Sequence, residues 1–165
     1  MAKKKIDLGM IATLCAAVLG VIAIIMLALP AMVNENALST TQYSVWEVVF
    51  GKTSQMGGKT YEILKFSFMN FLTYALVIAG IVCTVLNFLG KGGKYMNLIA
   101  TVAYLIAGIF FFLTIAFTVP NAEGASAEAI AEWKELFKLG AGAIIGGICS
   151  ILAAVASGYK AFIAK

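Results

Sequence analysis

The chain has 165 residues, of which 62% are hydrophobic and 12% charged, with a mean hydropathy of +0.97 and a net charge of +4. Soluble domains sit near 45–50% apolar and about 25% charged, so this composition excludes a water-soluble globule, a disordered tail and a nucleic-acid module. Histidine and arginine are absent and cysteines number three, which removes His-built metal and acid–base sites and disulfide scaffolds as well.

A helix that crosses a bilayer needs roughly 20 mainly apolar residues, because hydrocarbon offers no water to satisfy a broken backbone. Four charge-free stretches meet that need: Leu8 to Asn34, Phe66 to Gly90, Tyr95 to Ala122 and Leu139 to Tyr159. The expected fold is an all-α membrane protein, one integral domain over 1–165. Its four-helix transmembrane bundle has spans near 9–33, 67–90, 95–119 and 139–159 and external loops over 34–66 and 120–138. Lys3, Lys4 and Lys5 precede the first apolar run as in a signal peptide, but that run exceeds the roughly 7–15 residues of a signal core. Nor is Ala28-Leu29-Pro30-Ala31 a small-x-small cleavage site. A retained first span is the expectation.

Between the first two spans, Gln42 to Phe50 is β-branched and aromatic, and Thr60 to Leu64 repeats that character more weakly. With Gly51 to Lys59 as the turn, they read as one small external β-hairpin. Tyr43, Trp46 and Phe50 lie on it, either as anchors of the aromatic belt at the membrane surface or as a recognition patch. The second connection, Lys91-Gly92-Gly93-Lys94, is a tight turn and lacks the spacing of a phosphate-binding loop. The third segment reads as a short amphipathic helix. Ser126 stands as its cap, Glu128 in its first turn, Lys134 and Lys138 late, and Ile130, Trp133 and Phe137 recur at helical spacing. Its Glu128, Glu132 and Glu135 read as a solvated face.

Within the spans no ionisable acid, lysine or histidine appears, so the usual mark of proton relays and ion-coupled transport is missing. Asn70, Asn87 and Asn97 fall near helix ends, where water would hydrate them, and Phe110, Phe111, Phe112 and Phe117 read as lipid-facing and packing bulk. Cys15, Cys83 and Cys149 read as small apolar residues. The last span carries Gly142, Gly146, Ser150, Ala154 and Gly158 at intervals of four, a groove of small residues of the kind on which membrane helices pack. Ala12, Ala16 and Gly20 form a shorter set in the first span. The groove serves either packing of the fourth span on the first or an interface with a second copy or another membrane protein.

Lysine counting orients the chain. With both termini on one side, that side holds Lys3, Lys4, Lys5, Lys91, Lys94, Lys160 and Lys165 against Asp7. The other holds five lysines, Lys52, Lys59, Lys65, Lys134 and Lys138, against Glu35, Glu47, Glu62, Glu123, Glu128, Glu132 and Glu135. Excess lysine marks the cytoplasmic face, so N and C termini in the cytoplasm and a multi-pass plasma-membrane protein are expected.

This layout of cytoplasmic termini, a longer strand-forming first external loop, a very short cytoplasmic turn and a shorter second external loop resembles claudin-like tetraspan membrane proteins. That family's first loop has a Gly-Leu-Trp motif followed by two cysteines, whereas this chain has Ser44-Val45-Trp46-Glu47 and no loop cysteine. The resemblance therefore implies the topology and assigns no residue a role. The chain is also similar to the small four-span proteins common in bacterial membranes, a likeness that implies no activity. The expected function is non-enzymatic: a structural or scaffold protein showing Tyr43, Trp46, Phe50, Trp133 and Phe137 to a partner. Expected partners are the lipid bilayer and a homo-oligomer or membrane protein, with no nucleic acid and no cofactor. The alternative is a component of a transporter or channel for neutral solutes.

Overall fold

A computed structural model describes residues 8–36 and 39–163. Lys3, Lys4, Lys5, Asp7 and Lys165, on which part of the orientation reading rests, lie outside those residues. Four helices are long and apolar enough to cross a membrane: α1 (Leu8–Ile25, extended by a 3-10 turn to Ala28), α3 (Phe68–Phe88), α4 (Gly93–Phe112) and α7 (Ala141–Phe162). They pack in a ring, α1 on α3, α3 on α4, α4 on α7 and α7 on α1. Each neighbour runs antiparallel to the last, so the start of α1 and the end of α7 lie at the end of the bundle that carries the α3–α4 turn.

The first three spans are shorter than the apolar runs from which they were read, and the fourth is shifted rather than shortened. The first was expected over 9–33, but Pro30 cannot donate a backbone N–H or continue a helix. The chain instead leaves as strand β1 (Pro30–Asn36). The third was expected over 95–119; α4 stops at Phe112, and after Leu113 a single turn, α5 (Thr114–Phe117), precedes strand β5 (Val119–Pro120). There Thr114 Oγ1 donates to Phe111 O at 2.7 Å and Thr118 Oγ1 to Thr114 O at 2.8 Å, hydroxyls competing for carbonyls at a frayed helix end. The fourth, expected over 139–159, is displaced toward the C-terminus as α7, because Lys138–Leu139 form strand β6.

The long connection is not the expected single hairpin. It forms two: β1 with β2 (Ser39–Ser44), and β3 (Lys52–Met56) with β4 (Lys59–Lys65), joined by the one-and-a-half-turn helix α2 (Val45–Phe50). Gln42 to Phe50 thus divides at Ser44, strand before it and helix after it. The turn of the second hairpin is Gly57-Gly58, both with positive φ, the backbone a tight two-residue hairpin requires. The segment between α4 and α7 is woven into both sheets. Its first strand, β5, pairs with β4 (Leu64 opposite Pro120), and its last, β6, pairs with β1 (Met32 opposite Leu139). Two three-stranded sheets result, β2-β1-β6 and β3-β4-β5.

The bundle interior is filled. Tyr104 and Phe111 are the largest fully buried side chains. The Tyr104 ring lies between Gly20 and Gly80, and Phe111 lies against Gly146 and makes an edge-on contact with Tyr74 at 5.1 Å between centroids. Phe111, expected as lipid-facing and packing bulk, is buried while its neighbours Phe112 and Leu113 are exposed; the small side of α7 gives it a seat inside. The asparagines also do more than take up water. Asn87 Nδ2 donates to Asn97 Oδ1 at 2.9 Å, Ser157 Oγ donates to Asn97 O at 3.0 Å, and Asn70 Nδ2 reaches Thr114 O at 3.4 Å. Hydrogen bonds therefore tie α3, α4 and α7 together near the α3–α4 turn, and α3 to α5 at the other end.

Candidate interaction surface

The surface above the bundle is built around α2. Ser44 is its N-cap: Glu47 N donates to Ser44 Oγ at 3.3 Å and Ser44 N donates to Glu47 Oε2 at 2.8 Å, a complete capping box. Gly51, at φ +94°, ends the helix. Its backbone is pinned at both ends by Val45 N to Leu29 O and Ser67 N to Val49 O, each 3.0 Å. Once the segment is helical, Val45, Val48 and Val49 fall on the buried side, while Trp46 and Phe50, four apart, fall on the outside.

Glu47 also accepts Lys52 Nζ at 2.9 Å, and the same ammonium lies 4.8 Å from the centroid of the Tyr43 ring. Burial by itself would raise the Glu47 pKa. The Lys52 ammonium and the Ser44 donors outweigh it and hold the carboxyl below its ordinary value. On the other external segment Lys134 Nζ donates to Ala116 O at 2.6 Å, and burial lowers the pKa of that ammonium. Helix α6 (Ala127–Glu135) is capped by Ser126, whose Oγ accepts Ala129 N at 3.2 Å.

The five aromatic residues assigned to one external surface separate into two groups. Tyr43, Trp133 and Phe137 are a joint rather than a surface: Phe137 lies 5.6 Å from Tyr43 and 4.7 Å from Trp133, and Tyr43 and Phe137 are buried. They seal the first external segment against the second. Trp46 and Phe50 are 57% and 44% exposed and stack at 4.2 Å. Phe50 continues to Phe66 and Phe71 at 6.4 and 6.3 Å, which makes a lateral aromatic rim where the sheets meet the helices. Beneath it an apolar cavity of about 260 Å³ opens between α1, α2 and α3, with Ile24, Phe71 and Tyr74 in its wall.

The small-residue groove of α7 faces inward. A side chain at Gly142 would lie within 2.9 Å of the carbonyls of Leu29 and Pro30, at Gly146 within 2.8 Å of Phe111, and at Gly158 at 3.4 Å from Thr101. Ser150 and Ala154 are buried between these levels. The stripe thus seats α4 as well as the chain that follows α1, whereas packing on the first span or an interface with a partner was expected. What the sequence reading overlooked is the capping box, although Ser44-Val45-Trp46-Glu47 carries its signature, a serine with glutamate three residues on. Comparison with protein-family models, curated proteins and solved structures finds no match for this chain.

Proposed function

We propose that the chain is a non-enzymatic multi-pass protein of the plasma membrane, both termini cytoplasmic, whose work is structural: it holds a rigid external cap in place for contact with another membrane protein or a second copy. The observation that carries this reading is the weaving of the second external segment into both sheets. Strands β5 and β6 and the Tyr43–Phe137–Trp133 joint bind the two loops into one body. Loops that only connect spans need no such order, and fixing a surface in advance lowers the ordering cost of binding. Sidedness is supported by the lysine excess at the terminal end. The aromatic rim of Trp46, Phe50, Phe66 and Phe71 suits the headgroup level, where amphipathic rings collect.

A solute path through a single bundle is less well supported, since Tyr104 and Phe111 occupy the interior; a neutral-solute conduit would have to run between copies. Affinity capture after crosslinking in native membranes, with intact-complex mass, tests the proposal. A stoichiometric complex, with itself or another membrane protein, is the expected result. A solitary chain together with solute flux in liposomes would overturn it.

A further inference from the structure

Each sheet ends in two edge strands, and an edge strand offers unpaired N–H and C=O groups to any other strand. Proteins guard such edges by shortness, by proline or by charge, and three of the four edges here are guarded. β5 has two residues, one of them Pro120; β6 has two, one of them Lys138; β3 carries Lys52. β2 is the exception. It has six residues, Ser39-Thr40-Thr41-Gln42-Tyr43-Ser44, with no charge and no proline, and its first four are exposed. It pairs with β1 on one side, and among the described residues the sheet order gives it no strand on the other.

We propose that the β2 edge is a docking strand for the β2 edge of a second copy, paired antiparallel about Thr41. This rests on the interaction reading above and specifies its surface and occupant. In that register Thr41 meets Thr41, Thr40 meets Gln42 and Ser39 meets Tyr43. The facing strands bring only neutral hydroxyl, amide and phenol groups together, and Thr–Thr pairs are favourable across strands while like charges are not. Charge selects this edge for self-contact over the rest of the cap. Glu128, Glu132 and Glu135 lie on α6, which leads into β6, and β6 is on the far side of β1 from β2. Contact through α6 would oppose its three glutamates in the two copies, whereas the β2 strands themselves carry no charge.

The test uses the full chain in its native membrane. Thr41→Cys and, on the guarded edge, Thr53→Cys are treated with a short bis-maleimide beside the wild type, whose Cys15, Cys83 and Cys149 report the background. Intact-complex mass is measured for wild type and for Thr41→Lys. Thr41→Cys is expected to give the dominant covalent dimer, and Thr41→Lys about tenfold less dimer with an unchanged Tm, because it opposes like charges across a strand pair. A dimer that persists in Thr41→Lys, without preferential crosslinking at Thr41, overturns the edge and leaves the interaction reading standing. So does a stoichiometric complex with a different membrane protein and no dimer. A solitary chain in every measurement overturns both.

Discussion

Tyr104 illustrates how tightly the interior is determined at single positions. The residue is fully buried, and its hydroxyl has no hydrogen-bond partner among the described residues. A Cβ at Gly20 would meet that hydroxyl at 2.7 Å and Ile81 Cγ1 at 2.7 Å, and one at Gly80 would meet the ring at 2.8 Å. The two glycines are therefore the space the ring occupies. Overpacking a filled site costs about 1–3 kcal/mol, while removing an unpartnered buried hydroxyl can be neutral or stabilising. Gly20→Ala is expected to lower the Tm in detergent, and Tyr104→Phe to leave it unchanged or raise it. In the double variant the loss should be partly restored, because one of the two close atoms is gone; residues in contact couple, distant ones add. Melting curves of the four proteins decide it, and strict additivity would count against a Gly20–Tyr104 contact.

At the scale of elements, α2 is stable for reasons other than the propensity of its residues. Val45, Val48, Val49, Trp46 and Phe50 favour strands, yet the capping box, the Gly51 stop and burial of three valines on one side outweigh that preference. Losing such a cap costs about 1 kcal/mol, so Ser44→Ala should lower the Tm modestly. The Glu47 component carries a pH signature. Its folded pKa is depressed, so its stabilisation is whole above the ordinary carboxylate value of 4.5 and is lost as the pH falls through the lower folded value. Glu47→Gln should thus melt below wild type at pH 7 and converge with it once the pH has fallen below that lower folded value, measured in the same micelles. A gap of equal size at both pH values would show that the carboxylate charge plays no part.

The same balance explains what could be read from sequence. Long apolar runs reveal the four helices because hydrocarbon imposes length and satisfied backbone on any span. Strands of two to seven residues leave no such trace inside apolar sequence, and β1, β5 and β6 were absorbed into the expected spans. The two prolines were the available sign, since Pro30 opens β1 and Pro120 closes β5. The candidate surface was half legible. The residue types were right, but sorting Tyr43, Trp133 and Phe137 inward from Trp46 and Phe50 outward needed the strand-to-helix change at Ser44 and the pairing of segments about 90 positions apart, neither of which local periodicity records.

For the whole molecule, the two ends of the bundle differ in build as well as in charge. At one end α3 and α4 meet in a short turn bearing Lys91, with Lys160 in the last turn of α7 nearby. At the other, the two sheets, α2, α6 and the loop before α6 carry every described glutamate. Insertion that follows lysine count puts the turn inside and the sheets outside, and the hydrogen-bonded cap makes the arrangement a single choice: β1–β6 and β4–β5 pairing can form only if both external segments are on the same side. In intact cells Ser54→Cys and Ala122→Cys are therefore expected to react together with a membrane-impermeant maleimide, and Lys91→Cys to react only after permeabilisation. Wild type gives the background from Cys15, Cys83 and Cys149, which lie within the helices. Labelling of Lys91→Cys in intact cells with both sheet positions protected would invert the orientation. Labelling of Ser54→Cys without Ala122→Cys would be the more serious result, because it would separate the two external segments and dissolve the cap on which the interaction reading depends.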